Sequence, residues 1–265
     1  ALVLTGFIFS HSTAADEAST SKQFKADSVR FDNLGMKIEI ISDDRDEIEI
    51  RLFNYDEEEK LVNFKVSNNE LLVDQVKTSS SAGNISVISQ GSASGKGRSV
   101  VTIGNQTTIV NGNHVVVSHQ GYKQTVPRME VSLPVGTPLT LYNFKGKARI
   151  GDIAGPLKMT GSGKIIAGKL NSVDIDMGKN AKVDIDQVEE KLTVNASGNS
   201  RLHLQQGDVE NLQVVLSGNS RVKYGGHANR ASLSITDNGK LFIASVNERK
   251  NSAISKNGRL TIGNW

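Results

Sequence analysis

From about Pro138 the chain repeats itself every 19 residues or so, and this period limits the fold more than any other feature. The apolar residues Met159, Met177, Ala196, Leu216, Ile235 and Ile254 follow one another at spacings of 18, 19, 20, 19 and 19. Six positions beyond each stands another apolar residue: Ile165, Val183, Leu202, Val222, Leu241 and Leu260. Two further on comes a third: Ala167, Ile185, Leu204, Tyr224, Ile243 and Ile262. In a chain with 37% hydrophobic residues, six matches of six at two offsets are not an accident of composition.

Inside each unit the apolar period is two rather than 3.6, so the unit is built of strands and not of helix. It reads as strand, tight Gly/Asn turn, strand, loose turn. Antiparallel hairpins use similar turns. A fixed repeat of equally apolar positions is what stacked coils need, because only neighbouring coils can cover each inward face. The expected fold is all-β: a parallel β-solenoid of about 19-residue coils over residues 137–265.

Stacked coils turn equivalent positions into ladders with a rung about every 4.8 Å. Three residues after the first apolar anchor the ladder reads Ser162, Asn180, Asn199, Asn219, Asn238 and Asn257. Asn tolerates left-handed backbone and its amide can bond along a stack, so these are expected to be structural turn residues. Five residues after the anchor it reads Lys164, Lys182, Arg201, Arg221, Lys240 and Arg259, with Lys147 a further candidate rung. Each neighbours an apolar inward residue and must therefore point outward. Long aliphatic stems lying along a sheet would explain such a column structurally. The functional reading is a stripe about 25 Å long facing an extended polyanion.

The region before the repeats alternates at period two through Ile38 and Ile40, then Ile48, Ile50 and Leu52, then Val62, Phe64 and Val66, then Leu72. Half-buried strands are expected there, separated by turns at Asp43–Asp46 and Ser67–Glu70. Asp56–Glu59 is expected to be a solvated acidic turn. Residues 16–136 are thus an N-terminal β meander, carrying a Ser/Gly-rich insertion at 78–122 with short β-branched runs at 100–103 and 115–117. Residues 1–15 hold an apolar stretch and then Ser12-Thr13-Ala14-Ala15, as in the remnant of a secretory signal. Nine apolar residues are too few to span a bilayer, and a lipoprotein anchor is not expected without cysteine. The protein is expected to be exported, to the periplasm, the outer-membrane surface or the extracellular space.

Composition removes much chemistry. With no cysteine there is no disulfide, thiolate metal site or cysteine nucleophile. A net charge of +3 lacks the bulk excess of a nucleic-acid packager, although residues 137–265 hold 18 basic and 11 acidic residues against 13 and 17 before them. His11, His114, His119, His203 and His227 share no metal-ligand spacing, and Asp174, Asp176, Asp184 and Asp186 alternate with apolar residues on strands as a solvated patch would. No catalytic constellation, metal site or cofactor is expected. A polysaccharide-active solenoid enzyme is the alternative, since paired carboxylates on such scaffolds can hydrolyse glycosides.

The turns Thr160-Gly161-Ser162-Gly163-Lys164, Ser197-Gly198-Asn199-Ser200-Arg201 and Ser217-Gly218-Asn219-Ser220-Arg221 carry a resemblance. Asp237-Asn238-Gly239-Lys240 and Lys256-Asn257-Gly258-Arg259 are weaker copies. The pattern resembles the family of auto-transporter adhesin head GIN domains. That resemblance implies a two-part β-solenoid with an envelope or surface location, and it brings no catalytic residues with it. The expected role is that of a non-enzymatic binding or scaffold protein, its partner an envelope or surface protein, an acidic polysaccharide or lipopolysaccharide. For the last coil two readings stand: Trp265 folds over the open core, or the C-terminal edge pairs with a second copy or another chain.

Overall fold

The computed structural model describes residues 20–54, 62–75, 86–90, 98–103, 106–111, 127–255 and 257–263. The expectations placed on the leader, on Asp56–Glu59, on Val115–Val117, on His11, His114 and His119, and on Trp265 lie outside these residues. Among the described residues there are nineteen strands and no helix. In chain order the first are β1 (Thr20–Phe24), β2 (Ser28–Asp32), β3 (Lys37–Asp43), β4 (Ile48–Phe53), β5 (Val62–Ser67) and β6 (Glu70–Gln75). Then come β7 (Ser86–Gln90), β8 (Arg98–Ile103) and β9 (Gln106–Asn111). β10 (Arg128–Pro134) follows, and the repeating region opens with β11 (Leu139–Phe144), β12 (Lys147–Ile150) and β13 (Leu157–Gly161). They continue through β14 (Lys164–Met177), β15 (Lys182–Ala196), β16 (Arg201–Leu216), β17 (Arg221–Ile235), β18 (Lys240–Ile254) and β19 (Arg259–Ile262). The chain divides into two units, residues 76–125 and the remainder. In the smaller, β7, β8 and β9 form an antiparallel three-stranded sheet.

In the larger unit, every pairing from β11 onward is parallel, so the repeats are solenoid coils and not hairpins. The repeating apolar positions fall into register lines. One runs Ile38, Ala148, Ile165, Val183, Leu202, Val222, Leu241 and Leu260. Seven of these eight are at most 5% exposed, and Leu260 packs partly buried against them. A second line, on the opposite wall, joins Val29, Leu139, Leu157, Val173, Leu192 and Leu212, each buried.

The coils begin earlier than the repeat does in sequence. β2 and β3 form a coil of their own, pairing in parallel with β11 and β12, although about a hundred residues separate them along the chain. β10 lies beyond β3, and β4 and β1 follow it antiparallel, while β6 and β5 extend the other wall beyond β2. In β6 the buried residues are Leu71 and Val73; Leu72, expected inside, faces outward between them.

The loose turn is not a turn. β14 to β18 each run 14 to 16 residues through that corner, bent by register shifts such as the one between Leu204 and Asp208. Bulges absorb added residues without breaking pairing. This explains the unequal spacings: the tight-turn side is constant, and the insertion or deletion that makes a coil 20 or 18 residues falls at the bulge. At one corner the stack also takes in the largest buried side chain. Tyr224 stands in a line of Ala, Ile and Leu, beside Gly207 and Gly226, where a Cβ would press on its ring or hydroxyl. Its hydroxyl donates to the carbonyl of His227 at 2.6 Å, and burial pushes the phenol pKa well above its ordinary value.

The tight turn closes with a hydrogen bond from residue four to residue one, as from Ser200 N–H to Ser197 C=O. The left-handed residue is the second of the four: Lys179, Gly198, Gly218 and Asp237, with φ between 55° and 67°. The Asn column stands one residue later, outside that region, which corrects the expectation that Asn supplies the left-handed conformation. Its amides instead bond along the stack, Asn199 to Asn180 at 3.4 Å, Asn219 to Asn199 at 3.2 Å and Asn238 to Asn219 at 3.0 Å.

Two measurements follow from this architecture. Gly198→Ala places a Cβ 2.8 Å from the Lys179 carbonyl oxygen at a φ of 67°, and chemical denaturation is expected to show a loss of about 1–3 kcal/mol. Lys179→Gly relieves the same strain one coil earlier and should not destabilise. The second concerns Glu49 on β4, 9% exposed, which accepts from Arg51 at 2.7 Å, Arg45 at 2.8 Å and the Ser21 hydroxyl at 3.1 Å. The guanidiniums of Arg51 and Arg45 hold its carboxyl pKa down at about 2, against the opposing effect of burial. A folded pKa below the unfolded one gives stability that is complete above the ordinary carboxylate range and is lost as pH falls toward 2. Denaturation between pH 6 and 2 should therefore show Glu49→Gln less stable at the upper end by about 2–3 kcal/mol, with the difference closing toward the lower end.

Candidate functional site

The basic side chains face outward for the same reason that the core faces inward. From Lys182 to Lys240 each follows the turn's fourth residue, which is buried (Ala181, Ser200, Ser220, Gly239), and precedes a buried Val or Leu; Lys164 precedes buried Ile165 and Arg259 the partly buried Leu260. Period two leaves it only the solvent side. Strand pairing then sets Lys164, Lys182, Arg201, Arg221, Lys240 and Arg259 directly in register, one per coil.

The line is longer than the repeat suggests. Lys147 pairs with Lys164, Lys37 with Lys147, and Arg128 with Lys37. Nine cations thus stand on one line of about 38 Å. Lys37 and Arg128 escaped the sequence reading because their strands lie outside the periodic region. The signal was present: Arg128-Met129-Glu130-Val131 and Lys37-Ile38-Glu39-Ile40 repeat the basic–apolar–polar–apolar order of the coils.

The rungs are not equivalent. Arg128, Lys37 and Lys182 each have a carboxylate two residues on, Glu130 at 3.4 Å, Glu39 at 2.6 Å and Asp184 at 3.3 Å. Arg128 also stacks over the Phe53 ring at 4.2 Å. Beside Arg201, Arg221, Lys240 and Arg259 the equivalent positions are His203, Lys223, Phe242 and Thr261. Among the described residues, none of these four rungs has a carboxylate within ion-pair distance. They line an open groove of about 540 Å³ whose walls also include His203, Lys223 and Phe242, with Lys182 and Asp184 at one end.

On its other side the line is bordered by the Asn column, two residues before each rung, with side chains exposed from Asn180 to Asn238. Ser162 begins that column without an amide. The groove therefore combines cations and one aromatic ring, with amide donors and acceptors along the turn beside it. It holds no paired carboxylates, and among the described residues no cluster of His, Asp and Glu could hold a metal ion. Asp174 and Asp176 lie on the opposite wall from Asp184 and Asp186, so the four aspartates form no single patch. Asp186 instead accepts from Gln205 at 2.8 Å. No helix among the described residues is long and apolar enough to cross a membrane.

Comparison with known proteins supports the fold and its family. No curated protein matches the chain. Among solved structures, a protein from Bacteroides fragilis described as a putative adhesin shares 11% identity at a TM-score of 0.51, over 93% of this chain and 96% of its own. A putative adhesin from Parabacteroides merdae shares 11% at 0.47, over 92% and 96%. A putative lipid binding protein from Parabacteroides distasonis shares 9% at 0.46, over 92% and 94%. The family model described as "Putative auto-transporter adhesin, head GIN domain" matches residues 106–259, more than half of the sequence. The chain belongs to that family.

Proposed function

We propose that the protein is a non-enzymatic, exported binding protein of the adhesin kind, and that it holds a polyanion along the C-terminal half of its basic line. The observation that carries this is the run Arg201, Arg221, Lys240 and Arg259: four consecutive cations in register, lining a groove, with no carboxylate two residues on along their own strands. Like charges one strand apart repel, so an incoming anion is rewarded both by attraction and by relief of that repulsion. The apolar opening of the sequence and the family's adhesin description support an envelope or surface location.

The test is a triple variant, Arg201→Glu, Arg221→Glu and Lys240→Glu, against dextran sulfate and inorganic polyphosphate in low-salt titration calorimetry. All three side chains are exposed, so the melting temperature should change little. Exposed charge contacts are worth about 0.2–1 kcal/mol each, and reversal removes an attraction and adds a repulsion. Affinity should fall at least tenfold, and added salt should weaken the parent's binding toward the variant's. Equal affinity of parent and variant would overturn the proposal. So would release of reducing ends from a bound acidic polysaccharide.

A further inference from the structure

The groove also carries information about what kind of polyanion fits it. We infer that its ligand is a linear acidic polysaccharide bearing one anionic group on each sugar, lying along the stacking axis with one sugar per coil; this rests on the polyanion reading above.

Three observations point that way. The first is dimensional. The cationic rungs form a narrow band: of the neighbouring outward positions on the same coils, His203, Lys223, Phe242 and Thr261, one is a second Lys, and beyond them stand Gln205, Gly225 and Ala244. Asp184 and Asp186 border its N-terminal end. A lipid surface presents charge in two dimensions and would meet those carboxylates; a single extended chain meets only the line. The second is periodic. The rungs advance by one strand spacing, about 4.8 Å, which is close to the advance of a pyranose in an extended chain. The third is chemical. Two residues before each of the four rungs stands an Asn, and the amides of Asn199 and Asn219 each give one N–H and one lone pair to their neighbours in the ladder and keep the others for an outside partner. A polyphosphate offers only anionic oxygens to such a row. A sugar offers hydroxyls, which both donate and accept. Phe242, half-buried beside Lys240, adds an apolar surface for the face of a ring.

The experiment is a calorimetric series of oligogalacturonates from two to eight sugars, with polyphosphate, polyglutamate and phosphatidylglycerol vesicles as comparison ligands. The uronate series should gain about two- to fivefold in affinity per added sugar and then level off at about four sugars, one for each rung from Arg201 to Arg259. Two variants separate the contacts. Arg221→Gln keeps the stem and removes the charge, and should weaken uronate and polyphosphate alike. Asn219→Ser with Asn238→Ser removes amides while leaving the cations, and should weaken uronate at least threefold with polyphosphate unchanged; a melting scan checks that both variants are folded. If polyphosphate, polyglutamate or the vesicles bind as tightly as the octamer, and the Asn variant is silent, the polysaccharide inference is overturned while the polyanion reading stands. If none of the ligands binds, both fall.

Discussion

Each coil of this protein is an incomplete object until another coil lies on it. A 19-residue unit turns its apolar side chains toward an interior only two strands wide, and the neighbouring coils finish the enclosure. Everything else is subordinate to keeping those coils in parallel register. The tight turn is held to four residues because a change there would rotate every later side chain to the other face. The opposite corner can vary because its bulges take up the difference before the next inward position is reached. The Asn amides on the outside and the Ile, Leu and Val lines on the inside hold the same register from two directions.

That constraint also makes the basic line possible. An ordinary surface would let nine cations spread apart, but a solenoid fixes them one strand apart wherever each coil repeats the same residue type. Two devices reduce the cost. Toward the N-terminal end, carboxylates two residues along the strand pair with Arg128, Lys37 and Lys182. Elsewhere the heads stay in water, where screening is strong. The fold does not require cations in that column. On the other wall the comparable outward line through the later coils is Thr193, Gln213 and Ser232, which is neutral. Stacking geometry accounts for the line being straight, and not for its being positive.

Most of the repeat domain was legible in the sequence because its signal is local and recurs at a near-constant distance. Period two separated inside from outside, and the period of about 19 marked the coils. What failed to show was non-local or lay in the backbone. The coil made by β2 and β3 lacks a neighbour in sequence, since its stacking partners come about a hundred residues later, so no spacing connects Lys37 with Lys147. The left-handed residue of the turn is Lys or Asp in two coils and Gly in two others. Residue type there points in no single direction, and the invariant-looking Asn beside it drew the assignment by one position. The bulged corner hid for a related reason: its polar residues look like a loop, and only pairing reveals that the strand runs on. The candidate groove was half visible. The cations could be listed in order, but which of them are neutralised depends on the residue two places on and on its geometry.

That dependence gives the line its polarity. Along the strand the cation and the residue two places later share one face, close enough for an ion pair when the second is Glu or Asp. One residue per coil therefore decides whether a rung is internally compensated or left for a partner. In β10, β3 and β15 the choice is acidic; in β12 and β14 it is Arg149 and Ile166, and from β16 onward it is His, Lys, Phe and Thr. The compensated rungs contribute to register at little electrostatic cost, and the uncompensated ones keep their charge for a partner. A repeat protein can thus separate scaffold from binding surface without changing its fold. It holds the first outward position constant and varies the second, and the longest uncompensated run begins after Lys182, at Arg201.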